Sequence, residues 1–349
     1  MSQPAHHDAA LAAYERGQTT IARSLWEERA AMGDPDAQTA LGLMLAAGEG
    51  GPADPTLAVR YWRAAADAGH PDALYNLGLM AEQDHTPDSE TRAGEWYGRA
   101  ARAGHAGAAN NLAALLLNDN GAPDPARAVS LLRDSAAKGD ADALYNLGCL
   151  HASGEHVPAD DERAQRFHRQ AAEQGHAAAA RELALLLERL GTEGDGEAAI
   201  IHWLQCAADG GDTRAQVLLG DRYRHGHSVP QSETRAWNWY VAAARQGDVV
   251  GMTNIGVMYD KGRTTAENPL RAARCYRFAA ERGYAPAQYN LAILLADGIG
   301  IPADRAEAWA WFARSADQGH EAAVAARDWI WDTLDAHERE RATMFSTQL

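Results

Sequence analysis

The chain has 349 residues, of which 76 are Ala, 32 Gly and only four Phe, against ten Trp and eleven Tyr. Ala loses no side-chain entropy in a helix and lets neighbouring backbones come close, so this composition favours tightly packed helices. With 32 basic and 48 acidic residues the net charge is −16, which repels phosphate backbones and anionic lipid headgroups and excludes a general nucleic-acid or membrane-surface role.

The first residues, Met1-Ser2-Gln3-Pro4-Ala5-His6-His7-Asp8, carry neither a basic n-region nor an apolar h-region, so no signal peptide is expected. No apolar run approaches the roughly 18 residues of a membrane helix, and membrane insertion is not expected. Cys149, Cys206 and Cys275 are far apart and form no Cys-x-x-Cys pair. An odd, sparse set argues against a disulfide framework and points to a reducing, cytoplasmic setting.

Residues 1–33 read as a shortened helical hairpin, Tyr14-Glu15-Arg16-Gly17 followed by Trp26, suited to cap an array. From Gly33 a glycine then recurs as Gly69, Gly104, Gly139, Gly175, Gly211, Gly247, Gly283 and Gly319, always 35 or 36 residues apart. A small residue follows each of these by four positions, as in Ala73 and Ala215. Eight and nine positions later comes an aliphatic–small pair, as in Leu77-Gly78, Leu112-Ala113, Leu219-Gly220 and Ile255-Gly256. These spacings place both on one face of a first helix, helix A. Gly costs about 1 kcal/mol inside a helix, so its recurrence there predicts that another helix comes close.

A second helix, helix B, precedes each closing glycine, with large residues seven or eight positions before it, such as Trp62, Tyr97, Phe167, Trp203, Tyr240, Tyr276 and Phe312. Small pairs follow, as in Ala65-Ala66 and Ala243-Ala244. The closing glycine suits a left-handed position after helix B. Helices A and B are joined by a variable loop, best formed at Gly48–Asp54, Gly154–Asp160 and Gly298–Asp304, whose last Asp is placed to cap helix B. The A–B loops within 70–104, 105–139 and 176–211 depart from this pattern. Beyond Gly319, residues 321–349 read as a capping helix containing Ala322, Ala323, Ala326, Trp329 and Ile330, followed by a charged tail.

The pattern Ala-x-x-x-Leu-Gly-x-x-Tyr-x-x-Gly, a loop, then Ala-x-x-Trp and Ala-Ala-x-x-Gly, complete between Ala215 and Gly247, resembles the Sel1-like repeat, a relative of the tetratricopeptide repeat. The resemblance covers residues 34–320 as eight tandem repeats. It implies an all-α fold, a right-handed α/α superhelical solenoid of antiparallel helix pairs, in which helix A lines a concave groove. It also implies adaptor or scaffold work through protein–protein interaction. In some bacterial members it implies antagonism of toxic effectors as immunity proteins, and in secreted, cysteine-rich members β-lactam binding or hydrolysis. The last reading is disfavoured here, because three cysteines cannot supply one disulfide per repeat.

Seven positions after the closing glycine stand Asn76, Asn111, Asn146, Asn254 and Asn290, and one position earlier Tyr75, Tyr145 and Tyr289. Asn is a mediocre helix former, so its recurrence needs a reason. Two readings stand at this stage: the amides bind a partner peptide or helix, as the resemblance implies for a groove Asn, or they bond between repeats and hold register. Arg181 and Asp221 break the neighbourhood of this column with charge and place selectivity in the middle repeats. The acidic surplus of residues 1–175, with 14 basic and 25 acidic residues, predicts that a basic partner prefers the N-terminal repeats, around Asp36 and Asp72.

No catalytic motif is present: there is no Gly-x-Ser-x-Gly, His-Glu-x-x-His or Cys/His nucleophile arrangement, and the chain is not expected to be an enzyme or to hold a cofactor. His70, His105, His176 and His320 each follow a closing glycine and read as turn residues. His225 and His227 offer two ligands without a third, so no metal is expected. Cys206 and Cys275 read as small core residues on helix B.

Overall fold

The closing glycines all take the left-handed conformation, with φ between +82° and +98° from Gly33 to Gly319. They end helix B in one recurrent way. At Gly69, the Gly69 N–H donates to the Ala66 carbonyl at 3.0 Å and the His70 N–H reaches back to the Ala65 carbonyl at 3.0 Å, closing the helix end before the chain re-extends.

The computed structural model describes residues 4–84, 86, 88–118, 123–191, 195–263 and 266–348. Every regular element among them is an α-helix. Residues 1–3 of the N-terminal stretch, and residues 85, 87, 119–122 and 192–194 of the atypical A–B loops, lie outside the described residues.

The helices fall into two compact units, residues 1–171 and 172–349. In the first, α1 (Pro4–Glu15) and α2 (Thr19–Ala31) form the short hairpin. Helix pairs follow as α3 (Pro35–Ala47) with α4 (Pro55–Asp67), α5 (Pro71–Gln83) with α6 (Ser89–Arg102), α7 (Ala106–Asn118) with α8 (Pro125–Ala136), and α9 (Ala141–Ser153) with α10 (Asp161–Glu173). In the second unit the pairs are α11 (Ala177–Arg189) with α12 (Asp195–Asp209), α13 (Thr213–His225) with α14 (Glu233–Arg245), α15 (Val249–Asp260) with α16 (Pro269–Ala280), and α17 (Ala285–Asp297) with α18 (Arg305–Asp317). Residues 321–349 contain two helices, α19 (Glu321–Thr333) and α20 (Ala336–Gln348). Both pack on α18.

Within a repeat, helix B lays a ring on the glycine of helix A. A methyl group at Gly256 would lie 2.6 Å from Tyr276 Cε1 and at Gly148 2.5 Å from His168 Cε1, while Trp62, Tyr97 and Tyr240 press still closer on Gly42, Gly78 and Gly220. Where helix A has Ala instead, at Ala113, Ala184 and Ala292, the equivalent helix B residues are Leu132, Leu204 and Phe312. The cores are therefore chains of Ala, Leu and aromatic residues that run from one hairpin into the next inside each unit.

The A–B loops close as their sequences predict. Gly48, Gly154, Gly226 and Gly298 end helix A with φ of 68° to 72°. The capping residue of helix B then anchors its own N–H on helix A, as Asp54 does on the Leu45 carbonyl at 2.8 Å and Asp304 on the Leu295 carbonyl at 2.9 Å. The Asp54 side chain in turn accepts from Leu57 N at 2.9 Å, satisfying one of the free donors at the start of α4.

Candidate functional site

Helix A is capped at its N-terminus by Asp or His in every repeat but that of α17, where Tyr284 stands at the cap without a side-chain bond. Asp212 accepts from Ala215 N at 2.8 Å and Asp248 from Gly251 N at 2.7 Å. At His105 and His176 the acceptor is the ring Nδ1, 3.1 Å from Ala108 N and 3.0 Å from Ala179 N. His70 caps α5 in the same way, and its Nε2 lies 2.9 Å from the Asp36 carboxylate of the preceding repeat. With Nδ1 accepting, the proton sits on Nε2 and points at that carboxylate. Asp72 lies 3.7 Å from His105 Nε2, so both carboxylates expected to attract a basic partner also face a histidine of the next repeat.

In the first unit the Tyr75 ring stacks on His105 at 4.2 Å, with the planes 14° apart. Its hydroxyl accepts from Asn111 Nδ2 at 3.4 Å. Asn146 Nδ2 reaches Asn110 Oδ1 at 3.5 Å, and Asn110 Nδ2 donates to Asp140, the cap of α9, at 3.1 Å. Asn111 and Asn146 thus bond across repeats and hold register. Asn110 is the link between them; it occupies the position of Tyr75 and Tyr145 and is legible in the sequence only as the first half of an Asn-Asn pair. Tyr145 is half-buried, its ring 5.8 Å from that of His168. Asn76 is half-buried and makes no side-chain hydrogen bond among the described residues.

In the second unit Arg181 is buried. It donates to Glu182 at 2.8 Å and lies 3.5 Å from Asp212, the cap of α13. Asp221 accepts from the Tyr240 hydroxyl at 2.6 Å; burial, and then this carboxylate, push the Tyr240 hydroxyl well above the usual tyrosine range. Both charges therefore brace helices. Tyr289 is held against His320 at 4.8 Å and Phe312 at 5.6 Å. Asn254 and Asn290 resemble Asn76, half-buried and without a side-chain hydrogen bond among the described residues.

Glutamines, which no sequence motif singled out, also bond between helices. Gln38, Gln216 and Gln288 donate to the carbonyls of Ala30, Ala208 and Ala280 at 3.0 to 3.2 Å. Gln246 and Gln318 donate to the Gln216 and Gln288 side chains at 3.1 and 2.8 Å. The signal was Gln five positions after, and immediately before, the closing glycine. One expectation is corrected: Cys206 is exposed, its Sγ 3.7 Å from His202 Nε2, rather than a core residue. Cys275 is half-buried, and burial pushes its thiol up. Among the described residues no three His, Cys, Asp or Glu side chains gather as a metal site, and no helix is long and apolar enough to cross a membrane.

Tandem helix hairpins closed by a left-handed glycine, with amides and rings along the first helix, define an α/α repeat protein of the solenoid class. The chain belongs to the Sel1 repeat family: the Sel1 repeat matches eight consecutive segments, from residues 35–70 through to 285–320. It is similar to a Sel1 repeat protein from Oxalobacter formigenes, with 25% identity and a TM-score of 0.64 over 89% of this chain and 90% of that one. It is also similar to c5321, a protective antigen present in uropathogenic Escherichia coli strains and displaying an SLR fold, with 25% identity and a TM-score of 0.55 over 99% of this chain and 83% of that one. No curated protein matches it.

Proposed function

We propose that this chain is a non-catalytic adaptor that holds a peptide or helix of a partner protein along the helix A columns, and that it works in the cytoplasm. The observation that supports this is the division of the Asn column. Asn111 and Asn146 are spent on register, whereas Asn76, Asn254 and Asn290 are half-buried with both sides of the amide unused. A half-buried mid-helix amide with no partner inside the chain keeps its donor and acceptor open to water and to the backbone of a bound segment. Tyr75 and Tyr289, braced by His105 and His320, supply rigid aromatic surfaces next to Asn76 and Asn290.

The test is a peptide-array screen with the purified chain, followed by calorimetry of the best binder against two variants. Asn76→Ala/Asn254→Ala/Asn290→Ala is expected to keep the wild-type melting temperature and to weaken binding about tenfold or more, through lost hydrogen bonds. Asn111→Ala is expected to lower the melting temperature instead. Undiminished binding by the folded triple variant would remove the Asn column from the binding surface.

A further inference from the structure

The helix A face changes character at its N-terminal end. In the register of the closing glycines Ala40 stands where the next three repeats carry Asn76, Asn111 and Asn146, and Leu43 follows it in the column of Leu79, Ala114 and Cys149. At this place α1, α2 and α3 enclose an open cavity of about 450 Å³, lined chiefly by Leu11, Tyr14, Trp26, Ala40, Leu43 and Met44. Helix α2 packs on both α1 and α3 and contributes Trp26, which is buried. Leu11, Tyr14 and Leu43 remain 43%, 39% and 50% exposed. Large apolar side chains scattered singly on a surface mean little, but three that line one concavity mark an interaction site.

The lining carries one charge, the carboxylate of Glu49. Gly48 turns the chain out of α3 with φ of 72°, the Glu49 N–H returns to the Met44 carbonyl at 2.9 Å, and the Glu49 carboxylate, in the same lining as Tyr14, raises that phenol. Residues 1–54 hold eight acidic and three basic residues, a balance of −5. Of the three arginines, Arg23 is paired with Glu27 and Arg29 with Asp34.

We infer that this cavity receives the apolar face of a basic amphipathic helix from a partner protein, with a Lys or Arg of that helix meeting Glu49. The inference rests on the adaptor reading and adds a site that does not use the Asn column. A helix fits here because it satisfies its own backbone, and Ala40 offers no amide to read an extended one. A basic helix fits because an acidic one would bring like charges together at the rim.

The test titrates the full-length chain with three fluorescent probes: a Leu/Lys peptide with leucines at i, i+3, i+4 and i+7, a scrambled peptide of the same composition, and a Leu/Glu peptide of the first pattern. The Leu/Lys peptide is expected to bind saturably at one-to-one stoichiometry, the other two at least about tenfold more weakly. Leu43→Gln and, separately, Leu11→Gln are expected to weaken it about tenfold, the effect of losing one half-buried leucine contact. Both positions are exposed, so circular dichroism should show folded variants. Glu49→Gln is expected to weaken binding severalfold and to reduce its salt dependence. Absence of binding, equal binding of the scrambled or Leu/Glu peptide, or unchanged affinity in both leucine variants would overturn the inference. So would concentration-dependent self-association that Leu43→Gln abolishes, because the groove would then hold a second copy. The Asn triple variant should bind the Leu/Lys peptide normally, which separates failure of this site from failure of the Asn column.

Discussion

Gly256 and Gly283 both belong to recurrent columns, and they are glycines for unrelated reasons. At Gly283, with φ of +86°, nothing lies within 4 Å of the place a Cβ would take, so the left-handed backbone alone excludes other residues. At Gly256 the backbone is ordinary helix and the Tyr276 ring, 2.6 Å from that Cβ position, forbids a side chain. Gly256→Ala is therefore expected to destabilise the chain by about 1–3 kcal/mol through overpacking. Adding Tyr276→Leu should recover part of that loss, since Ala113 with Leu132 and Ala184 with Leu204 show this pairing in other repeats. Urea denaturation of both variants checks this, and a double variant worse than the sum of its parts would refute the coupling. The small–large exchange was legible in sequence only as two separate columns; that ring and glycine touch is a tertiary fact.

At the scale of the element, the N-terminus of helix A does two tasks. Asp212 caps α13 and also neutralises the buried Arg181 of the preceding repeat. Loss of a cap alone costs about 0.5–2 kcal/mol, so Asp54→Ala, at the exposed cap of α4, is expected to fall in that range. Asp212→Ala is expected to exceed it, because it leaves a buried guanidinium with Glu182 alone. Asp212→Asn, which keeps a capping oxygen and removes the charge, separates the two contributions in thermal melts. The histidines after Gly69, Gly104 and Gly175 were readable as turn residues from their position. Their role as ring-nitrogen caps was not, since a sequence does not say which nitrogen accepts or that Asp36 lies 2.9 Å from the other.

Across the whole molecule, burial pushes Tyr97, Tyr240 and Tyr276 far above the usual tyrosine range, reinforced by the carboxylates of Glu82, Asp221 and Asp260 respectively. In the unfolded chain these phenols ionise near pH 10, while the folded chain still holds their protons. Below that pH their contribution to stability is complete; as pH rises above it the unfolded state releases protons first, and stability falls towards the folded-state values. Melting temperature should hence drop steeply above about pH 10, with phenolate absorbance of these residues appearing only on unfolding. Tyr240→Phe should flatten part of that slope, and a folded chain that titrates all its tyrosines near pH 10 would contradict the burial argument.

The sequence by itself determined the repeat length, the helix pairs, the left-handed glycines and the Asp caps, because each follows from short-range geometry: a period of 3.6, a backbone angle, a side chain reaching two or three residues along. It also marked the Asn column as anomalous. Only the tertiary structure divided that column into Asn111 and Asn146, which bond to neighbouring repeats, and Asn76, Asn254 and Asn290, which do not. It likewise turned Arg181 and Asp221 from charges expected to set selectivity into helix braces and gathered Leu11, Tyr14 and Leu43 around one cavity. Those assignments depend on contacts between residues 19 to 36 positions apart, such as Asp221 with Tyr240 and Tyr75 with Asn111. Periodicity places such residues on a face, but packing alone decides which of them meet.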